Sequence, residues 1–423
     1  MNPVSLAETA IDVLPVVTPY LGVLGVALGV SLLMTPLMRW LAMRNGVVDH
    51  PDLVRKNHAK PVAYLGGAAV FLAWLAGMAA CYFIEPHDPR SVELGLVHVT
   101  FPISLVIGAL VITLTGLIDD VFGISPRVKL GGQLFAAAAL AHNDVGTELV
   151  KDFISALGYQ PPEMFCYVVG ALIIAAFVLG GCNATNLLDG MDGLAGGVTL
   201  IAAMGFLFLS VFTAIGLTGP AHEPPGIDIL SSPLRIVMCM AMIGAILGFL
   251  PFNFKPASIY LGDSGALLLG YLSVCTILLL AHAPASGPAL VMAALIVFAL
   301  PVIDTMLAII RRLVAGRSIS EADNNHLHHK LLQRGLGVRQ ATLTLYGLAI
   351  AFAVLGCSAI FLRGRFVLVV FIVLFTAVSL IGYLTSRRQV LSKSVDRSVR
   401  SPGPITSADR ARRRTEPRVY TRG

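Results

Sequence analysis

The sequence predicts an all-α, polytopic integral membrane protein of about 11 transmembrane helices, N-terminus outside and C-terminus in the cytoplasm. Three observations carry this. The 423 residues are 56% hydrophobic and only 13% charged, where a soluble chain carries roughly 25% charge. Apolar runs recur along the chain, each close to the roughly 20 residues that cross a bilayer as a helix. Finally, 25 of the 30 Lys and Arg fall on one side of the bilayer those runs imply. A β-barrel would show short segments of alternating polarity instead.

In chain order the runs lie at 18–40, 65–85, 99–118, 130–142, 165–182, 194–216, 235–252, 265–283, 288–310, 340–362 and 366–385. Before the first, Glu8 and Asp12 appear but no Lys or Arg precedes Arg39. A cleavable signal peptide starts basic, so none is expected. The fourth run is short and Ala-rich. The ninth carries Pro301, which predicts a kink or break. An odd number of spans puts the termini on opposite sides. With the N-terminus outside, only Arg90, Lys151, Arg235, Arg363 and Arg365 lie outside, while carboxylates divide almost evenly, 13 inside and 11 outside. Basic residues, not net charge, set orientation, so this arrangement is preferred. Residues 1–385 then form the membrane domain. Residues 386–423, with eleven Lys or Arg and three acids, read as a basic, disordered cytoplasmic tail. The six Cys lie in or beside apolar runs without a CxxC pair, which argues for packing rather than disulfides or zinc.

Four polar motifs fall on the inside. Asp119 and Asp120 end the third run, with Arg127 and Lys129 shortly after. Adjacent carboxylates at a bilayer edge repel unless a cation or proton relieves them, and a helix C-terminus disfavours anions. A Mg²⁺-linked role or a general base explains the pair better than solvated acids do, and Arg127 and Lys129 are placed to hold phosphate. Asn183, Asn186, Asp189 and Asp192 follow at intervals of three, which lines polar groups along one face. A polar turn needs fewer such groups. Asp263 stands between glycines where the eighth run begins. There it is either a helix N-cap or a Mg²⁺ ligand, with the glycines leaving room for pyrophosphate. His326, His328 and His329 lie in the longest inside loop. Mg²⁺ prefers oxygen, so phosphate or sugar contact is expected of them rather than ligation. Arg55, Lys56, His58 and Lys60 form a basic cluster that positive-inside charge and phosphate binding explain about equally.

With these residues in view, the chain resembles the polyprenyl-phosphate N-acetylhexosamine-1-phosphate transferases. The resemblance spans roughly 40–340 in five ordered motifs: RKNHAKPVAYLGG from Arg55, the Asp119–Asp120 pair with SPRVKL after it, NATNLLDGMDGLAGG, FNFKPASIYLGDSG, and PVIDT followed by HLHHKLLQRG. It implies transfer of a sugar-1-phosphate from a UDP-sugar to a membrane polyprenyl phosphate, with release of UMP and use of Mg²⁺ or, alternatively, Mn²⁺. Asp119 and Asp120 would act on the lipid phosphate or metal, and Asp263, with Asn186, would hold the metal. Asn183, Asn186, Asp189 and Asp192 would shape the nucleotide site, and His326, His328 and His329 the diphosphate or sugar site. Lys60 and Lys129 would contact substrate. The peptidoglycan branch, which takes UDP-MurNAc-pentapeptide, has a Lys where Gly123 stands and a His-His-His-Phe-Glu run where this chain has HLHHKLL. These departures point to the branch using UDP-GlcNAc or a close relative, at the first membrane step of lipopolysaccharide or another envelope polymer. The expected setting is the bacterial inner membrane, with a cytoplasmic active site, a homodimer as the assembly and no nucleic acid. A secondary transporter is the rival from another class. It would place ionisable groups near the midplane, whereas here most of the notable groups lie at inside ends or in loops, with Asp304 the main exception inside a run.

Overall fold

The computed structural model describes residues 14–49, 61–83, 102–142, 145–155, 158–216, 231–282, 287–318, 326–362 and 364–400. Hydrocarbon offers no partner for backbone N–H and C=O groups, so apolar runs must pair internally and become helices. These are α1 (Leu21–Asn45), α2 (Gly66–Ala80), α3 (Ile103–Phe122), α4 (Pro126–Ala141), α5 (Val145–Ser155), α6 (Glu163–Leu188), α7 (Leu194–Gly216), α8 (Ser231–Asn253), α9 (Gly262–Leu279), α10 (Gly287–Val297), α11 (Ala299–Val314), α12 (Leu327–Gln333), α13 (Val338–Ala359) and α14 (Gly364–Arg400). The protein is an all-α, polytopic membrane protein.

Among the described residues, 8 helices are long and apolar enough to cross a membrane, or 9 if α10 and α11 form one bent span. Two of the eleven sequence runs fall short of that test. The fourth becomes α4, 16 residues with Arg127 and Lys129 in its first turn; it is about 24 Å long, less than the roughly 30 Å of hydrocarbon. The eleventh becomes the apolar segment Arg365–Leu380 within α14. The break expected at Pro301 lies just before it: α10 and α11 meet at Phe298 with a bend of 76°. Pro301 sits in the first turn of α11, where its missing N–H is tolerated, and a helix running through would set its ring against the Val297 carbonyl. The expectation of a disordered tail meets a difference. Helix α14 continues through 386–400, with no Pro or Gly between Gly382 and Pro402 to interrupt it. Residues 401–423 lie outside the described set.

Helix α9 is the axis of the molecule. It packs against α2, α3, α6, α7 and α8, and every residue in it except Asp263 is buried. A helix apolar on all sides is stable only when enclosed. Close approach is made by small residues. A Cβ on Gly67 of α2 would fall on the backbone of Gly265, and one on Gly116 of α3 on the backbone of Ser264. Lipid-facing helices instead expose large side chains, such as Leu33, Leu172 and Val354. A short hairpin, β1 (Val48–Asp49) with β2 (Val62–Ala63), pairs Val48 with Ala63 and Asp49 with Val62. Tyr260 N–H then donates to the Ala63 carbonyl at 2.8 Å, so the hairpin fixes the chain just before α9.

Candidate active site

The polar motifs meet at one end of α9. Asp120, near the end of α3, turns toward that helix. Its Oδ1 accepts the Asp263 N–H at 2.7 Å, and its Oδ2 accepts the Ser264 N–H at 3.1 Å and the Ser264 hydroxyl at 2.8 Å. It therefore caps α9 from a neighbouring helix, supplying acceptors for orphan N–H groups and negative charge at the positive end of the helix dipole. Gly262 has φ +69°, and a Cβ there would lie 2.6 Å from Asp120 Oδ2, so glycine alone fits. The capping role that the sequence left open for Asp263 belongs to Asp120. The Asp263 carboxylate is turned to other partners.

Those partners come from two helices, and one of them reaches on to a third. Asp263 Oδ1 accepts from Asn186 Nδ2 on α6 at 2.6 Å, and its Oδ2 pairs with Lys129 Nζ on α4. The same ammonium lies 2.7 Å from Asp119 Oδ2 on α3, while Asp119 Oδ1 accepts the Ile124 N–H at 2.8 Å. One lysine thus bridges two carboxylates. Burial acts against its charge, but the bonds from Asp119 and Asp263 outweigh this and hold its pKa above the ordinary lysine value. The carboxylate of Asp189, which follows the last residue of α6, has no hydrogen-bond or ion-pair partner among the described residues. Burial first, then repulsion by Asp263, Asp120 and Asp192, raises it to about 8.

Asp119, Asp120, Asp189 and Asp263 line an open cavity of about 690 Å³, together with Asp49, Tyr64, Asp192, Asn253, Lys255 and Tyr260. Asp192 Oδ2 accepts the Ala257 N–H at 3.0 Å and lies 3.3 Å from Lys255 Nζ. Asn253 ties the loops together, accepting the Gly193 N–H and donating to the Ile259 carbonyl. Tyr64 and Tyr260 stand with ring centroids 6.0 Å apart, and burial pushes the Tyr260 phenol up to about 12. Asp49 escaped sequence reasoning because the hairpin that brings it in is too short to leave a pattern, while Tyr64 sits in the RKNHAKPVAYLGG motif and could have been added from it. Lys255 and Tyr260 sit inside a motif already singled out and could have been added from it.

Other expected site residues fall elsewhere. Asn183 faces away from the cavity, donating to Gln133 Oε1 at 2.9 Å and to the Leu179 carbonyl at 2.7 Å; it joins α6 to α4. Lys60 lies outside the described residues. The histidines stand behind the Asp189–Gly193 loop and do not line the cavity. His326 Nδ1 lies 2.9 Å from Asp304 Oδ2, and Asp304 Oδ1 accepts the Leu327 N–H at 2.9 Å. Asp304, noticed as an ionisable residue inside an apolar run, thus has the partner such a residue requires. His328 is buried, and neither ring nitrogen has a partner among the described residues. Its ring stacks on His326 and lies 4.1 Å from His329, centroid to centroid. It also packs so closely on Gly190 that a Cβ there would meet its Nε2 at 2.5 Å. Burial, then the neighbouring His329, lowers its pKa to about 4.

No three His, Cys, Asp or Glu side chains among the described residues converge into a ready-made ion cage. The groups that do face one another are carboxylates and an amide, the donor set of a hard cation that keeps waters and substrate phosphates as further ligands.

The sequence profile of glycosyl transferase family 4 matches residues 102–281, which run from the start of α3 to the end of α9. The chain is 31% identical over 338 residues to the probable undecaprenyl-phosphate N-acetylglucosaminyl 1-phosphate transferase of Bacillus subtilis, covering 80% of this chain and 83% of that one. It is 35% identical over 325 residues to the decaprenyl-phosphate N-acetylglucosaminephosphotransferase of Mycolicibacterium smegmatis, covering 73% and 74%. It is 27% identical over 365 residues to the undecaprenyl-phosphate alpha-N-acetylglucosaminyl 1-phosphate transferase of Escherichia coli, covering 85% and 89%.

Proposed function

The chain belongs to glycosyl transferase family 4, and on that premise we propose that it transfers N-acetylglucosamine-1-phosphate from UDP-GlcNAc to membrane polyprenyl phosphate, releasing UMP. The observation that carries this is the bridge from Asp119 through Lys129 to Asp263 and Asn186. It gathers acidic and basic groups from four helices at the rim of one polar cavity.

The reaction brings two anions together, so charge control dominates. An oxygen of the lipid phosphate attacks the sugar-bearing phosphorus, the bond to the UMP phosphate breaks, and UMP leaves. The lipid phosphate is nearly ionised at neutral pH, and Asp119 accepts what proton remains. Asp120 is committed to the start of α9 and orients Asp263. Asp263 and Asn186 would hold Mg²⁺, with Asp189 beside them. Bound there, Mg²⁺ supplies positive charge against the pyrophosphate and the leaving UMP. Asp192 and Lys255 hold the loop that bounds the nucleotide side of the cavity. The basic residues clustered at this end of the bundle support a cytoplasmic active site in the inner membrane.

The test uses purified protein in detergent with Mg²⁺ and a polyprenyl phosphate. UMP release that requires the lipid supports the enzyme, and solute uptake by proteoliposomes without it would support a transporter. Among donors, UDP-GlcNAc is expected to lead. UDP-glucose lacks the acetamido group, and a site that hydrogen-bonds that group leaves its own polar atoms unpaired against it. A higher kcat/KM for UDP-MurNAc-pentapeptide would move the protein to the peptidoglycan branch.

A further inference from the structure

Lys129 occupies a singular position. It is the ammonium shared by Asp119 of α3 and Asp263 of α9, and the side chains involved are mostly enclosed, 18%, 16% and 30% exposed respectively. Asp189 and Asp120 stand near the same point, and their mutual repulsion with Asp263 is felt at Asp189. Without a cation, four carboxylates share this corner of the cavity, and Lys129 is what neutralises two of them. Both oxygens of the Asp263 carboxylate are engaged, Oδ1 by Asn186 and Oδ2 by Lys129, so a divalent cation held by Asp263 competes with Lys129 for that carboxylate. Both cannot keep it at full strength.

Resting on the metal-dependent reading above, we propose that Lys129 is an internal counter-ion that a divalent cation displaces, and that the freed ammonium then becomes the anchor for the acceptor phosphate. In the cation-free protein Lys129 is tied down and cannot serve a phosphate. Once a cation sits on Asp263, the ammonium is repelled by it and keeps Asp119 as its remaining carboxylate partner, so an incoming phosphate can take the place that Asp263 gave up. The cation and the acceptor anion are therefore coupled through one side chain: each favours the state that binds the other. Lys129 is long and unbranched enough to swing between these partners without moving α4.

The experiment measures Mn²⁺ binding to the full-length protein in detergent by electron paramagnetic resonance, with inorganic phosphate or polyprenyl phosphate present or absent. Lys129→Met removes the charge and keeps the chain length. The variant is expected to bind Mn²⁺ about tenfold more tightly than wild type, the size of an ordinary coupling, and to lose any enhancement by phosphate. Lys129→Arg keeps a cation and should stay near wild type, and a thermal melt of each variant confirms folding. Enhancement by inorganic phosphate as well as the lipid would make the anchor one for phosphate as such, and enhancement by the lipid alone would make it one for the acceptor. If Lys129→Met leaves Mn²⁺ affinity unchanged or weakens it, the counter-ion idea fails while the metal site stands. If wild type and variant both fail to bind Mn²⁺ at millimolar concentration, the metal reading fails and this proposal with it.

Discussion

At the scale of single residues, the adjacent pair Asp119 and Asp120 divides its labour. Asp120 has both oxygens engaged at the start of α9, whereas Asp119 holds one backbone N–H and one ammonium. Asp120→Asn keeps only one of the two acceptor oxygens, since an amide NH2 cannot accept a backbone N–H, so it should lower the melting temperature while keeping activity within about tenfold. Asp119→Asn removes the proposed base and should lose about 10²–10⁴-fold in turnover. Equal losses in steady-state UMP release would reject the division. A second expectation concerns Asp189. Its raised pKa means that the folded, cation-free protein binds a proton more tightly than the unfolded chain. The cost of ionising it in the fold thus begins above the unfolded carboxylate value near 4, grows with pH and levels off beyond about 8. Asp189→Asn should raise the cation-free melting temperature more at pH 9 than at pH 5. A pH-independent effect would show that the carboxylate is already relieved. The capping by Asp120 was not legible beforehand, because its partner lies 143 residues away and nothing local distinguishes a capping carboxylate from a catalytic one.

At the scale of elements, the tightest constraint is helix approach. Gly67→Ala would press a methyl into the Gly265 backbone, and such overpacking costs about 1–3 kcal/mol. Gly180→Ala, where nothing lies within 4 Å, is the matched control. The first should lower the melting temperature and the turnover together, and the second neither; equal melting curves would show that α2 can shift away from α9. Elements were largely legible in the sequence, since hydrocarbon leaves long apolar runs little choice but helix. Their surroundings were not. Hydropathy treats a side chain in lipid and one against another helix alike, so the enclosure of α9 stayed hidden. The run that became α4 was read as a span from its alanines, whereas its first turn carries the lysine that bridges the site.

At the scale of the whole molecule, the distribution of Lys and Arg predicts an orientation, and that prediction has a direct test. Cysteines placed at Ser125, between α3 and α4, and at Tyr159, before α6, lie at opposite ends of the bundle on exposed positions. In a background with the six native cysteines replaced, an impermeant maleimide added to intact cells should label Tyr159→Cys and leave Ser125→Cys unlabelled. The reverse pattern would turn the site outward and defeat the functional reading.

The enclosure of α9 also bears on how the protein is made. It has the lowest mean hydropathy of the 8 candidate spans and carries Ser264, Ser273 and Thr276 within it, so on its own it has the weakest claim on the bilayer. Yet its main neighbours α2, α3, α6, α7 and α8 all precede it in the chain. When α9 leaves the ribosome, its walls already exist, and it enters a slot made of protein rather than a solvent made of lipid. The order of synthesis is thereby the order of construction. The Asp263 carboxylate at its tip reaches Lys129 and Asn186 only after those residues are in place, so the candidate site is completed with α9, before α10 to α14 follow, and no earlier fragment of the chain possesses it.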